Sequence, residues 1–65
     1  MTAVHVRVEV ERQYYPGLLL EWRRIETGAY KNREWHGRVL YVTGDLPYRL
    51  LTESWIPAER IKPIQ

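Results

Sequence analysis

Apolar and polar residues alternate at the start of the chain. Val4, Val6, Val8 and Val10 share one parity, whereas the residues between them are polar. β-Branched residues at a period of two indicate a strand with one buried face. We therefore expect residues 3–13 to form a first strand whose valines face the core.

Proline and glycine predict where the chain turns next. In Pro16-Gly17 the proline fixes φ for the second turn position, and the glycine accepts the positive φ of the third. A second strand is expected from residue 18 to about residue 25. Both of its parities are partly apolar, which is typical of a strand that bends to serve two surfaces. The segment 27–33 is predicted to be a loop, with Gly28 and Asn32 in unusual backbone conformations.

The middle of the chain predicts two further elements. Residues 35–43 are expected to form a third strand, in which Gly37 allows a bend or a close approach. Residues 44–47 predict a turn. Residues 46–55 are compatible with a strand or with a short helix that has Asp45 as its N-cap. A strand is favoured, because a helix would leave the following Ile-Pro pair without a pairing partner.

The C-terminal segment predicts how the fold ends. Pro57 cannot donate a ladder hydrogen bond, so it ends a strand or lies on an edge. Residues 58–60 are expected to form one 3-10 turn, after which Ile61 and Ile64 return to the core as a last short strand. The chain is thus predicted to be an all-β protein of five strands, with its tryptophans and valines turned inward.

Motifs in residues 18–64 resemble the SH3-like DNA-binding domain that closes retroviral and retrotransposon integrases. The resemblance runs through Leu20-Glu21-Trp22-Arg23-Arg24, Ile25-Glu26-Thr27-Gly28 with Tyr30, Trp35-His36-Gly37 with Val39-Leu40, and Trp55 to Pro63. It implies a small five-stranded SH3-like barrel and a role in DNA binding, and a chain of 65 residues is long enough for one domain, so residues 1–65 are expected to form a single SH3-like domain. The integrase catalytic core and zinc-binding domain have no counterpart in this chain. The valine strand of this chain has no counterpart in the integrase domain.

Composition narrows the classes of function. The chain has 65 residues, no cysteine, three Trp and five Tyr. Without cysteine there is no disulfide and no thiolate metal site, and we expect a cytoplasmic protein. No apolar run approaches the roughly 20 residues that span a bilayer, so no membrane partner is expected.

Basic residues concentrate in one segment. Residues 23–38 contain five basic and two acidic side chains, whereas the rest of the chain is slightly acidic. Arginines bind phosphates and aromatic rings stack on bases. The predicted nucleic-acid site, with DNA favoured over RNA, comprises Arg23, Arg24, Tyr30, Lys31, Arg33, Trp35 and Arg38. The alternative is that Trp22 and Trp35 are core residues and that the arginines pair with neighbouring glutamates.

Other functions have weaker support. Tyrosines, tryptophans and edge strands would also suit a protein-interaction module or a homo-oligomer. The two histidines, His5 and His36, are far apart and lack further ligands at metal spacing. No arrangement of nucleophile, base and acid is visible. We therefore expect no metal, no cofactor and no enzymatic activity.

Overall fold

The computed structural model describes residues 2–28, 32–44 and 49–64. Its elements are β1 (Val4–Val10), β2 (Gln13–Thr27), β3 (Asn32–Thr43), β4 (Leu50–Pro57), a 3-10 turn (Ala58–Arg60) and β5 (Ile61–Pro63). All strands pair antiparallel in one sheet of order β4-β3-β2-β1-β5. The all-β prediction, the five strands and the 3-10 turn are confirmed. No helix in the described part of the chain is long and apolar enough to cross a membrane.

The first turn is not where the sequence predicts it. β1 ends at Val10, and Glu11 and Arg12 form a two-residue connection to β2 with φ of 50° and 66°. Two positive φ values in a two-residue hairpin define a type I′ turn, which normally contains asparagine and glycine. The predicted turn at Pro16-Gly17 is wrong, because both residues lie inside β2.

Close packing explains why Pro16 and Gly17 belong to a strand. A Cβ at Gly17 would lie 2.8 Å from Val39 Cγ1 and 3.0 Å from the Leu40 carbonyl oxygen, so β3 approaches too closely for a side chain. The ladder between β2 and β3 begins at Gly17, and Pro16 is paired only with Arg7 of β1. Proline is tolerated here because β2 has no neighbour on its second side at this residue.

β2 bends where its apolar pattern changes parity. The register with β3 shifts between Leu19 and Glu21, so a β-bulge moves the inward-facing positions from odd to even numbers. The expectation of a bent strand that serves two surfaces agrees with this bulge. The predicted loop at 27–33 is shorter than expected, because Thr27 and Asn32 are strand residues. Gly28 has the expected positive φ, 74°.

β3 and β4 agree better with the sequence. The predicted strand at 35–43 is the main part of β3, and β4 confirms a strand over residues 50–55. The remainder of the predicted turn and of the ambiguous segment, residues 45–48, lies outside the described residues.

Covalent connectivity forces the sheet to curl. β4 and β5 are its two edges, and adjacent strands about 4.8 Å apart would place them about 19 Å from each other in a flat sheet. Only three residues, Ala58–Arg60, connect them. A 3-10 turn rises about 2 Å per residue, so the connection spans about 8 Å. The edges must therefore approach each other at this end, although no ladder among the described strands joins β4 to β5.

Curling gives the sheet a concave face that carries the core. Residues from β1 to β4 meet there, and Val8 and Val39 have no exposed surface. The buried cluster is Val6, Val8, Leu19, Val39, Tyr41 and Ile56, with Ile61 of β5 packed against it. The prediction for the inner valines and for Ile61 is confirmed, whereas Val4 and Ile64 are about half exposed, contrary to expectation.

The expectation that the tryptophans turn inward is wrong. Trp22, Trp35 and Trp55 are 44%, 52% and 36% exposed, so none of them is a core residue. The bulge in β2 places Trp22 on the concave face, where Trp35 also lies, while Trp55 pairs with Arg38 on the convex face. The core is filled by aliphatic residues and tyrosine, which leaves three indoles available at the surface.

Candidate nucleic-acid interface

The β2–β3 hairpin extends beyond the rest of the sheet. β1 pairs with β2 only up to Leu19, and β4 pairs with β3 only from His36 onward. Among the described strands, residues 24–27 and 32–35 therefore pair only with each other. We call this two-stranded extension the arm; it contributes to the 42 Å length of the molecule.

A glycine at the base of the arm shapes the concave face. Gly37 is buried and pairs with Trp22. A Cβ at Gly37 would lie 2.6 Å from Leu19 Cδ1, 2.7 Å from Ile61 Cδ1 and 3.4 Å from Trp22 Cζ3. These three side chains converge over the glycine because it has none. One side of the Trp22 indole is therefore supported, and the remainder is exposed.

The 3-10 turn completes an apolar cleft beside this glycine. Trp22 and Trp35 form one side and Ala58 forms the other, and together they line an open space of about 420 Å³. This volume lies in the range of small-ligand sites. The cleft is shallow and its described lining contains no charged side chain.

Two arginines lie on the same face toward the end of the arm. The Arg24 guanidinium lies over the Trp35 ring, 5.8 Å from its centroid. No ion pair among the described residues involves Arg24. Arg33 shares this face and is 3.9 Å from Glu26 through Nε, with both side chains largely exposed. An exposed pair at this distance contributes little, so both guanidinium groups are available to an anion.

Trp35 also lies close to the 3-10 turn. Glu34, Trp35, Pro57, Ala58 and Glu59 line a second, smaller cleft next to the first. By strand alternation Glu34 belongs to the convex face, so Glu59 is the carboxylate residue that lines this cleft from the 3-10 turn. An anionic ligand would be attracted to the two guanidinium groups and repelled by Glu59.

Two of the predicted basic residues, Arg23 and Arg38, lie on the convex face and are already paired. Arg23 Nε is 3.1 Å from Glu21, and its guanidinium lies 5.3 Å from the Trp55 ring centroid. Arg38 bridges two strands, with 3.4 Å to Glu21 and 2.8 Å to Glu53. These arginines are held by carboxylates of the protein itself, as the alternative interpretation of the sequence expected.

The structure therefore divides the predicted site. Arg24, Arg33 and Trp35 lie together on the concave face, whereas Arg23 and Arg38 lie on the convex face. Tyr30 and Lys31 are outside the described residues. The sequence grouped these side chains by proximity along the chain, and strand geometry separates neighbours onto opposite faces.

Three contributors were missed by sequence reasoning. Trp22 was assigned to the core, and Ala58 and Glu59 were seen only as parts of a turn. The period-two pattern could have placed Trp22 beside Trp35 only if the bulge after Leu19 had been known. Nothing in the sequence brings Ala58 to the tryptophans, because that contact depends on the curl of the whole sheet.

Among the described residues no group of three or more His, Asp and Glu side chains could hold a metal ion. The described histidines, His5 and His36, lie on β1 and β3, and His36 Nδ1 is 3.3 Å from the Glu34 carbonyl oxygen.

Comparison with protein-family models, with curated proteins and with solved structures gave no match. The function of the concave face is therefore inferred from its geometry and chemistry.

Proposed function

We propose that the chain is a small nucleic-acid-binding module that contacts phosphates through the concave face of its arm. The observation that carries the proposal is the arrangement of Arg24, Arg33 and Trp35. Two guanidinium groups that have no strong carboxylate partner among the described residues lie beside an exposed indole on one face of a projecting ribbon. Arginine forks suit phosphate oxygens, and a two-stranded ribbon is narrow enough to follow a groove or a single strand.

We further propose that the curled sheet is an SH3-like barrel. The support is the three-residue link between its two edge strands, the bulge at which β2 changes parity, and one core formed by all five strands. This architecture places the arm and the 3-10 turn at the same end, which is where the candidate interface lies.

A matched pair of arginines tests the binding proposal. Arg23 and Arg24 are adjacent in sequence but lie on opposite faces. Arg24→Gln should weaken binding of a fluorescent DNA duplex or single strand about tenfold to a hundredfold in 50 mM salt, since a hydrogen bond to a charged group contributes about 1.5–3 kcal/mol. Arg23→Gln should change it less than about twofold, because that guanidinium is engaged by Glu21.

Salt dependence provides the second measurement. The slope of log K against log salt should become less steep by about one for Arg24→Gln, as expected when one phosphate contact is lost. Equal losses for both arginine variants would show that only net charge matters. Absence of binding to duplex DNA, single-stranded DNA and RNA at low salt would rule the proposal out.

Self-association is the second candidate, and the convex face favours it. Leu18, Leu40, Val42 and Leu51 border an apolar depression of about 300 Å³, and Leu51 is 69% exposed. This patch continues to β4, an edge strand with unpaired backbone groups. If the chain self-associates here, Leu51→Lys should convert it to a monomer in analytical ultracentrifugation. A wild-type protein that stays monomeric at about 100 μM, far above the dissociation constants of stable complexes, would exclude self-association.

A further inference from the structure

The apolar cleft next to the arm has the chemistry of a site for a flat, exposed ring. Trp22 and Trp35 present large fractions of their indoles, and Ala58 closes the opposite side without adding a polar group. Each nucleobase has two flat faces, and stacking on an aromatic side chain tolerates every base. In a duplex these faces are covered by neighbouring base pairs. A single strand can expose one of them.

Resting on the function proposed above, we propose that this module prefers single-stranded nucleic acid and that one unstacked base occupies the cleft of Trp22, Trp35 and Ala58. The phosphates next to that base lie against Arg24 and Arg33. Stacking then supplies the preference for single strands, while the arginines supply affinity that strands and duplexes share.

The distribution of charge around Trp35 determines where the sugar–phosphate backbone of the bound nucleic acid lies. Arg24 lies over this ring, whereas Glu59 lines the smaller cleft beside the 3-10 turn. A sugar–phosphate backbone is repelled by this carboxylate and attracted by the two guanidinium groups. The backbone therefore runs along the arm, and only the base extends toward the 3-10 turn.

Stacking of Arg24 on Trp35 also prepares the site. A guanidinium held over an indole is already oriented before a phosphate arrives, which reduces the entropy lost on binding. One indole thus serves two contacts, since it positions the arginine and forms part of the wall for the base.

The test compares one sequence in two forms. A fluorescent 12-nucleotide DNA of mixed sequence is titrated as a single strand and as a blunt duplex, in 50 mM and 150 mM salt. The single strand should bind about tenfold more tightly or better, as one stacked base is expected to give. Trp22→Leu should remove most of this difference and change duplex affinity less than about twofold.

The chain supplies its own controls. Trp55→Leu makes the same substitution on the convex face and should leave both affinities unchanged. Trp22→Phe keeps a ring at the cleft and should keep the preference for the single strand, so a fold damaged by Trp22→Leu can be recognised. In Trp55→Phe the remaining indoles are Trp22 and Trp35, and the single strand should quench their emission more than the duplex does.

The outcomes separate this inference from the proposed function. Equal affinities for strand and duplex, with no effect of Trp22→Leu or Trp22→Phe, would overturn the base-in-cleft inference while phosphate binding stands. Failure of both DNA forms to bind would remove the proposed function itself. Aromatic grooves also accept proline-rich segments. If a ten-residue proline-rich peptide quenches Trp22 and Trp35 and the oligonucleotide does not displace it, the cleft is a peptide site and the inference is wrong.

Discussion

The two faces of the β2–β3 hairpin contain the same residue types and use them in opposite ways. On the convex face Arg23 is paired with Glu21 and lies over Trp55. On the concave face Arg24 lies over Trp35, and the ion pairs among the described residues do not include it. Two consecutive arginines therefore differ in what each can offer to a ligand.

The difference lies in the placement of carboxylates and not in the number of cations. Glu21 and Glu53 lie on two strands that flank Arg38, so the charge of Arg38 is balanced locally on the convex face. On the concave face the nearest ion pair to the arm's end is the long Arg33–Glu26 contact. Charge counted along a sequence predicts a basic segment, whereas charge counted by face identifies which part of that segment can bind an anion.

The largest expected effect comes from filling the base of the concave cleft. Gly37→Val should destabilise the protein by about 1–3 kcal/mol, because the added atoms displace Leu19, Ile61 and Trp22. Urea unfolding gives the change in free energy. Gly37→Ala should cost less, since the contacting atoms are ends of flexible side chains. Unchanged stability in both variants would show that the three side chains do not converge on Gly37.

An intermediate effect should follow from releasing the convex arginines. The double variant Glu21→Gln, Glu53→Gln frees Arg23 and Arg38 by removing two negative charges from that face. Binding of DNA should strengthen about threefold to tenfold in 50 mM salt, and the salt slope should steepen by about 0.7–0.9 for each new phosphate contact. Stability should fall by less than about 1 kcal/mol, since these pairs are partly exposed.

This double variant also tests the comparison between the faces. Once Arg23 is free, Arg23→Gln should weaken binding as Arg24→Gln does in the wild-type protein. If the freed arginines add nothing to affinity, the concave face binds DNA because of the shape of the cleft rather than because of unpaired charge.

The fold was more predictable from sequence than the site. Alternating valines, the Trp-x-Gly strand and the Ile-Pro ending predict strands and a 3-10 turn, because each signal acts over a few residues. The first hairpin was missed for the same reason. Glu11 and Arg12 carry no turn signal although both have positive φ, and Pro16-Gly17 carries one although tertiary packing keeps it in a strand.

The site required information that local signals do not contain. Whether Trp22 faces the core or the cleft depends on a one-residue bulge, and whether Arg38 is available depends on Glu53, 15 residues away in another strand. Of the residues that the sequence grouped, Arg24 and Trp35 do lie together on the arm. Their division between two faces follows from register, which the sequence alone did not specify.

The smallest expected effect comes from the Glu59 carboxylate next to the concave site. Glu59→Gln removes one negative charge from the smaller cleft that Trp35 also lines. Because exposed charges several ångströms apart interact weakly in water, affinity for single-stranded DNA should rise only about twofold at low salt and not measurably at 150 mM. Glu9→Gln is the matched control, since Glu9 lies with Glu11, Arg12 and Arg60 in a different depression. The same gain from both variants would mean that net charge governs binding. A gain restricted to Glu59→Gln would show that the bound phosphates lie close enough to Glu59 to be repelled by it, and therefore that they lie on the concave face.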